Sequence, residues 1–394
     1  MTINDIKCLN EVCTGCLACV DICPKNCIRS FENADGFVAT KIDSAQCVNC
    51  GKCFSVCPAE NKKHNDYKQH LYAAFASDEA VRNRGSSGGI FEVIASECLD
   101  KGYYVCGAAF NGTKLEHKII NDIADLKPLL KSKYVQSNTE GIYKKIAELL
   151  KNGEKVLFCG TPCQVSALLN FIPERYSDNL LLLDFICHGV PSQKTFDMYI
   201  EELESKHKGK ISDFTFRVKD NKYKHSHGYR YTVNDRGQRK EINGVYSVSS
   251  YYNAFKQYIF FRESCYKCKY ATLERLSDIT LADFWGIEKY NPSYKTDKGV
   301  SMIITNTKKG CDLFNLIGNC IQGKEFPIQY GVESNRCLTQ SSERHKNRDA
   351  VIASLKNKGY KITAEDYFKS SWKNYLYWLL PSNIRTTIRK IRGW

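Results

Sequence analysis

Two copies of one cysteine pattern constrain this chain more than any other feature. The first reads Cys13-Thr-Gly-Cys16-Leu-Ala-Cys19-Val-Asp-Ile-Cys23-Pro24 and the second Cys47-Val-Asn-Cys50-Gly-Lys-Cys53-Phe-Ser-Val-Cys57-Pro58. Each is C-x2-C-x2-C-x3-C-P, the spacing that holds a pair of 4Fe–4S clusters, with the fourth cysteine of each run ligating the other cluster. Cys13, Cys16, Cys19 and Cys57 are therefore assigned to one cluster, and Cys47, Cys50, Cys53 and Cys23 to the other. The proline after each fourth cysteine stops the loop from re-entering regular structure. A zinc module pairs two C-x2-C units instead, and disulfide frameworks lack this duplicated register.

Ten of the 20 cysteines fall in the first 57 residues, eight of them in that spacing, so they are not the scaffold of a small secreted protein. The opening Met1-Thr-Ile-Asn-Asp-Ile-Lys7 has no apolar core for a signal peptide, and no run of 18 apolar residues occurs. Thiolates intended for iron need a reducing compartment, and the expectation is a cytoplasmic protein. The formal charge of +14 is partly offset by anionic clusters. The basic residues are spread along the chain, without an aromatic–basic ladder or a nucleic-acid module, so nucleic acid is excluded as a partner.

The 394 residues divide into five expected parts. Residues 1–60 form a bacterial-type two-cluster ferredoxin module, with Cys8 and Cys27 as packed thiols outside the ligand register. Residues 61–70 are a polar linker. From 71 to 160 and from 161 to 340, strand and helix signals alternate. Strands are expected at Leu71–Ala76, Tyr103–Phe110, Leu115–Ile120, Lys155–Phe158 and Leu180–Ile186, with antiparallel strands over 211–245. Helices are expected at Ile90–Leu99, Thr139–Leu150, Tyr246–Arg262 and Lys309–Gln322. This is an α/β pattern with α+β character, a mainly parallel core with antiparallel additions. Cys311, Cys320 and Cys337 have no partner spacing and read as packed thiols.

Residues 341–394 form a basic aromatic helical tail, running from Tyr367 through Trp372 and Trp378 to Trp394 with Arg and Lys between. It has the composition either to dock on the body or to lie peripherally on an anionic membrane.

Ligands of such cores collect at the carboxyl ends of the strands, and two motifs sit there. Cys159-Gly160-Thr161-Pro162-Cys163-Gln164 follows one strand, and Cys187-His188-Gly189-Val190-Pro191-Ser192 another. With the pair Cys265-x2-Cys268, Cys163 and Cys187 make four thiolates suited to a third 4Fe–4S cluster or to zinc, with Cys159 as the substitute ligand. Earlier in the chain, Ser86-Ser87-Gly88-Gly89 opens a helix beside Arg82 and Arg84, an arrangement for phosphate or pyrophosphate. It is not a P-loop, because the Gly-Lys-Ser/Thr ending is missing.

These pieces, with Ser132-Lys133-Tyr134-Val135-Gln136 and Asp278-Ile-Thr-Leu-Ala-Asp283-Phe284-Trp285-Gly286, occur in an order that resembles the coenzyme F420 hydrogenase/dehydrogenase beta-subunit family over residues 1–330. The resemblance implies an iron–sulfur flavoprotein with FAD in the α/β domain. It implies that Ser86, Ser87, Gly88, Gly89, Ser132, Lys133, Tyr134 and Gln136 contact the flavin, and that Cys163, Cys187, Cys265 and Cys268 bind the third cluster. The tail after Gln340 lies outside it.

The expected function is an oxidoreductase passing electrons between 4Fe–4S clusters and FAD, with a redox partner protein or a small-molecule substrate, including an F420-like one. A non-catalytic electron-transfer subunit and a reductase of surface polysaccharide precursors are the alternatives. No residue is assigned a catalytic role, His188 included, because an imidazole beside a ligand cysteine is as often a hydrogen-bond support.

Overall fold

The structure is a computed structural model that describes residues 1–5, 9–219, 228–294 and 298–380, with Ile384 and Ile388. Cys8 and most of the chain after Leu380 lie outside the described residues.

The N-terminal module is a repeat. Helix α1 (Leu9–Val12) precedes two equivalent loop–helix units ending in α2 (Ala18–Asp21) and α3 (Lys52–Ser55), with hairpin β1 (Ile28–Glu32) and β2 (Val38–Ile42) between them. Gly15 and Leu17 in the first loop, and Asn49 and Gly51 in the second, all have positive φ at matching positions. Two left-handed residues per loop curl the backbone tightly enough for three cysteines to face inward, and glycine adopts that conformation without a Cβ penalty.

The chain then builds an eight-stranded sheet from β3 (His70–Ala76), β4 (Tyr103–Asn111), β5 (Lys114–Ile120), β6 (Lys155–Cys159) and β7 (Leu180–Phe185), completed by strands from further along. Helices α4 (Glu79–Arg84), α5 (Ile90–Asp100), α6 (Ile142–Lys151), α7 (Pro162–Phe171) and α8 (Gln193–His207) intervene. Strands β8 (Lys210–Val218), β9 (Gly228–Asp235) and β10 (Gln238–Val245) form a separate antiparallel sheet. After α9 (Ser250–Lys256), β11 (Ile279–Asp283) and β12 (Ser301–Thr305) return to the large sheet, followed by α10 (Lys308–Leu316), β13 (Ile321–Phe326), α11 (Ile328–Ser334), α12 (Arg348–Tyr367) and α13 (Trp372–Leu379).

The order of the large sheet is β13-β3-β12-β11-β7-β6-β4-β5. Its centre, β4-β6-β7-β11, is parallel, and antiparallel strands extend it on both sides. Parallel strands are covered on both faces, and Leu180–Asp184 of β7 are accordingly all buried. The small sheet packs with α8, α9 and α12 around an aromatic core that includes Phe196, Tyr199, Phe214, Tyr251 and Phe260. Val351, Leu355, Tyr360 and Phe368 join that core, so the first helix of the C-terminal segment is part of the body. Beyond it, Trp372 is 66% and Leu376 51% exposed.

Three expectations are corrected. The helix expected over Tyr246–Arg262 is confined to Ser250–Lys256 with a single 3-10 turn before it. It ends because Tyr258 turns left-handed (φ 57°) and Phe261 then pairs in a bridge with Pro191. The helix expected over Lys309–Gln322 stops at Leu316, and Ile321–Phe326 pairs along β3 as an edge strand instead. Cys320 is exposed rather than packed, whereas Cys337 is buried and Cys311 half-buried.

The module is welded to the core. The Asp21 carboxylate accepts from the backbone N–H of Gly141 (2.7 Å), Tyr143 (3.0 Å) and Lys144 (3.4 Å), so a residue of the module caps α6 of the core. A cap of this kind contributes about 0.5–2 kcal/mol. The polar segment after Glu60 is a pinned strap: Lys62 and His64 bind Glu274, and Asn65 donates to the carbonyls of Arg275 and Asn306.

Candidate functional site

All 19 described cysteines are free thiols. In the module, a small cavity is lined by Cys23, Cys47, Cys50 and Cys53, one of the two expected ligand sets, with Cys27 beside them. The Cys23 and Cys27 sulfurs are 3.4 Å apart. The other set is also coherent: the Cys16 thiol is raised first by burial and then by the neighbouring Cys19, Cys57 and Cys13. Burial pushes Cys19 up to about 12 and Cys57 up to about 11.

A cavity of ≈ 530 Å³ opens at the carboxyl ends of β6, β7 and β11, a volume typical of a cofactor or small-molecule site. Its two regions are built differently.

One region is lined by Cys163, Cys187, Cys265 and Cys268. Cys163 rides on the first turn of α7, after Pro162 and the capping residue Thr161, whose hydroxyl lies 3.1 Å from the sulfur. Cys187 follows β7, and Cys265 and Cys268 sit on and after a 3-10 turn at Glu263–Lys267. Burial raises all four thiols, Cys163 to about 11 and Cys265 to about 12. Cys187 is raised further by Cys265, Cys163 and Cys268, so the four stand within electrostatic reach of one another. Among the described residues no three His, Cys, Asp or Glu side chains converge as tightly as a single metal ion requires. Cys159 lines the cavity nearer Lys133.

The other region lies against the Ser86–Gly89 loop. Ser86, Ser87, Gly89, Ser132, Lys133, Tyr134 and Gln136 line the cavity; Gly88 does not. Gly88 is pressed against the sheet, where a Cβ would come 2.5 Å from the Ala74 carbonyl. The Ser87 hydroxyl turns away and donates to the Val300 carbonyl (2.8 Å). The Ser132 N–H donates to the Ser86 hydroxyl (2.8 Å), which joins the two segments. Gln136 donates to the Thr14 carbonyl (3.0 Å) and so faces the N-terminal module.

Cations surround this region, and of these only Lys133 was expected from the sequence. Arg217 sits at an irregularity of β8 with φ 58°, donates to the Ser86 carbonyl and pairs with Asp283, both at 2.8 Å. The ammonium of Lys131 donates to the Arg217 carbonyl, that of Lys133 to Leu129 and Leu130, and that of Lys219 to Arg82, Ser87 and Lys298. None of these three lysines has a carboxylate partner among the described residues. Burial pulls them down, Lys131 to about 8 and Lys133 and Lys219 to about 7.

Four buried side-chain polar atoms lack a partner among the described residues, and three of them, Glu92 Oε2, His117 Nδ1 and Arg217 Nε, belong to residues of this lining. Buried polar groups left unpaired cost about 1–3 kcal/mol each, so the lining is complementary to a ligand that is anionic in one part and bears hydrogen-bonding groups elsewhere. At the mouth, Trp285 is 49% and Phe185 39% exposed. The His188 Nδ1 lies 3.3 Å from the Cys337 sulfur.

Residues 153–325 match the family described as the C terminus of the coenzyme F420 hydrogenase/dehydrogenase beta subunit, and residues 12–61 match a 4Fe-4S dicluster domain. The coenzyme F420-dependent sulfite reductase of Methanocaldococcus jannaschii is 27% identical over 183 residues, 43% of this chain and 27% of that protein. The chain thus spans about a quarter of that relative. A 7Fe ferredoxin from Hydrogenibacillus schlegelii is 36% identical over 61 residues, covering 15% of this chain and 72% of the ferredoxin. A chain of the F420-reducing [NiFe] hydrogenase complex from Methanosarcina barkeri superposes with a TM-score of 0.43 at 14% identity, over 75% of this chain and 89% of that one.

Proposed function

We propose that this chain, whose residues 153–325 match the C terminus of the coenzyme F420 hydrogenase/dehydrogenase beta subunit and whose residues 12–61 match a 4Fe-4S dicluster domain, is an iron–sulfur flavoprotein oxidoreductase with a third cluster and FAD. The observation that carries the reading is one continuous cavity with a quartet of buried thiols in one region and, in the other, the buried lysines Lys131 and Lys133, neither ion-paired with a carboxylate among the described residues. Cys163, Cys187, Cys265 and Cys268 would hold the cluster. Lys131, Lys219, Arg217 and the Ser86–Gly89 loop would hold the diphosphate, and His117 and Glu92 would accept from donor groups of the rest. When bound, a flavin and iron–sulfur clusters together supply the exchange between single-electron and hydride chemistry.

The chain's own residues position and enclose. Leu115, Leu129 and Leu130 make the inner wall apolar and exclude water. Trp285, with the Arg217 guanidinium 5.9 Å from its ring centroid, offers a stacking face at the mouth for a planar substrate such as a deazaflavin. Anaerobically purified protein is expected to contain about twelve irons and one FAD per chain. About eight irons without flavin would reduce the protein to a dicluster domain fused to a body of other purpose.

The segment after Ser370 has its own expected role. Lys373, Arg385, Arg389, Lys390 and Arg392 occur there without any Asp or Glu, next to the exposed Trp372 and Leu376. Peripheral binding to an anionic membrane follows from that combination. Truncation after Ser370, which spares α12, is expected to abolish sedimentation with phosphatidylserine vesicles while iron content stays constant. Equal sedimentation of both forms would end this reading. Among the described residues no helix is long and apolar enough to cross a membrane.

A further inference from the structure

Arg262 is 4% exposed, and all its side-chain acceptors are neutral. Its Nη1 donates to the Cys13 carbonyl (3.1 Å), its Nη2 to the Val38 carbonyl (2.5 Å), and its Nε and Nη2 to Gln136 Oε1 (3.2 and 3.0 Å). The ring of Phe37 lies 5.0 Å away. Among the described residues no carboxylate pairs with it. An isolated buried cation is costly unless an opposite charge balances it. Other cations near Cys268 are already matched: Arg275 pairs with Asp184 at 2.8 Å and Lys62 with Glu274 at 3.1 Å.

The surroundings of Arg262 say where the balancing charge belongs. Its N–H donates to the Val190 carbonyl, three residues after Cys187, and its carbonyl accepts from the Cys265 N–H, both at 3.0 Å. Ser264, next to Cys265, donates to the same Cys13 carbonyl at 3.0 Å. Arg262 also favours the thiolate forms of Cys163 and Cys265, against the larger effect of their burial. On the other side stands the ligand loop of the first module cluster. A Cβ on Gly15 would come 2.5 Å from Arg262 Nη2, so only glycine beside Cys16 lets the guanidinium approach so closely.

We propose that Arg262 is a positioning residue of the electron path: its guanidinium bridges the ligand loop of the Cys13 cluster to the Cys163–Cys187–Cys265–Cys268 set, and its charge raises the reduction potentials of the clusters on either side. The inference rests on reading that quartet as a cluster site. A fixed cation favours the more negative, reduced form of a neighbouring cluster, and in a low-dielectric interior the effect is not screened away. The Cys47 cluster, whose Cys50 is exposed, lacks this neighbour and serves as an internal control.

The test is a potentiometric EPR titration of the full holoprotein, with iron counted first, for wild type, Arg262→Lys and Arg262→Gln. Arg262→Gln is expected to shift the third cluster's one-electron equilibrium at least tenfold toward the oxidised form, about 59 mV to lower potential. The first cluster should move in the same direction, the Cys47 cluster should not move, and Arg262→Lys should stay near wild type. Loss of four irons in Arg262→Gln but not in Arg262→Lys would also support the charge. Unchanged potentials in Arg262→Gln at full iron content, or loss of the third cluster in Arg262→Lys, would overturn the proposal. Wild type with only eight irons would overturn the quartet reading instead, a separate outcome.

Discussion

The Cys163→Ser variant is expected to lose about four irons per chain and keep about eight, with the EPR signals of the N-terminal clusters unchanged. Serine matches cysteine in shape, so the first turn of α7 and its capping box at Thr161 and Gln164 survive. Its hydroxyl does not ionise as a thiol does once iron binds, and thiolate is the ligand these clusters take. The same substitution at Cys265 should give the same result, since both thiols belong to one electrostatically coupled group. Reduction of the flavin by a one-electron donor should cease in both variants, while bound flavin stays constant because its lysines lie in the other region of the cavity. Unchanged iron in Cys163→Ser would show that this thiol is not a ligand, and Cys159→Ser would then be the informative variant.

The second large effect is the pH dependence of flavin binding. Without ligand, Lys133 and Lys219 are held down to about 7 and Lys131 to about 8, chiefly by burial. A bound diphosphate favours the ammonium forms and raises these values, so binding takes up protons once the pH exceeds 7. Affinity is therefore expected to be flat below about pH 7 and to fall as the pH rises toward 9, up to tenfold per pH unit for each lysine titrating. Replacing Lys219 with Met should weaken binding by about ten- to a hundredfold, the worth of a charge-assisted hydrogen bond, and flatten the profile. Fluorescence titration of FAD against deflavinated protein between pH 6 and 9 measures both. An affinity that rises with pH would remove the lysines from the diphosphate site.

The cysteine runs were legible because their chemistry is local: spacing alone brings the thiols of one loop together, and a duplicated loop brings the rest. Strand–turn–helix periodicity likewise placed Cys163 and Cys187 at the carboxyl ends of neighbouring strands, now β6 and β7. Lys133 was legible through its motif, but the other cations of this region were not. Arg217 comes from β8 and Lys219 directly follows it, in an antiparallel sheet region that read as plain scaffold, and only the tertiary fold swings that sheet over the Ser86 loop. His117 is buried and alternates with exposed residues of β5 like any inward-facing strand residue, and its unpaired Nδ1 exists only in three dimensions. The stretch after α9 misled because its aromatics recur at helical intervals while serving an extended segment tied to the Cys187 loop. Gln136, grouped with the flavin by its motif, spends its side chain on Arg262 and the module.

The cap that Asp21 places on α6 reaches beyond stability. The N-terminal module has a small apolar core, centred on Ile3, Cys27, Ile28, Ile42 and Cys53, and the free energy of cluster binding is expected to be folding free energy for such a module. Before the clusters are inserted, the carboxylate that finishes α6 is then expected to be out of place, as are the Cys13 and Val38 carbonyls to which Arg262 donates. Iron loading is thereby expected to act as a checkpoint in the maturation of the whole chain, read out as faster proteolysis at α6 in the iron-free polypeptide than in the loaded one.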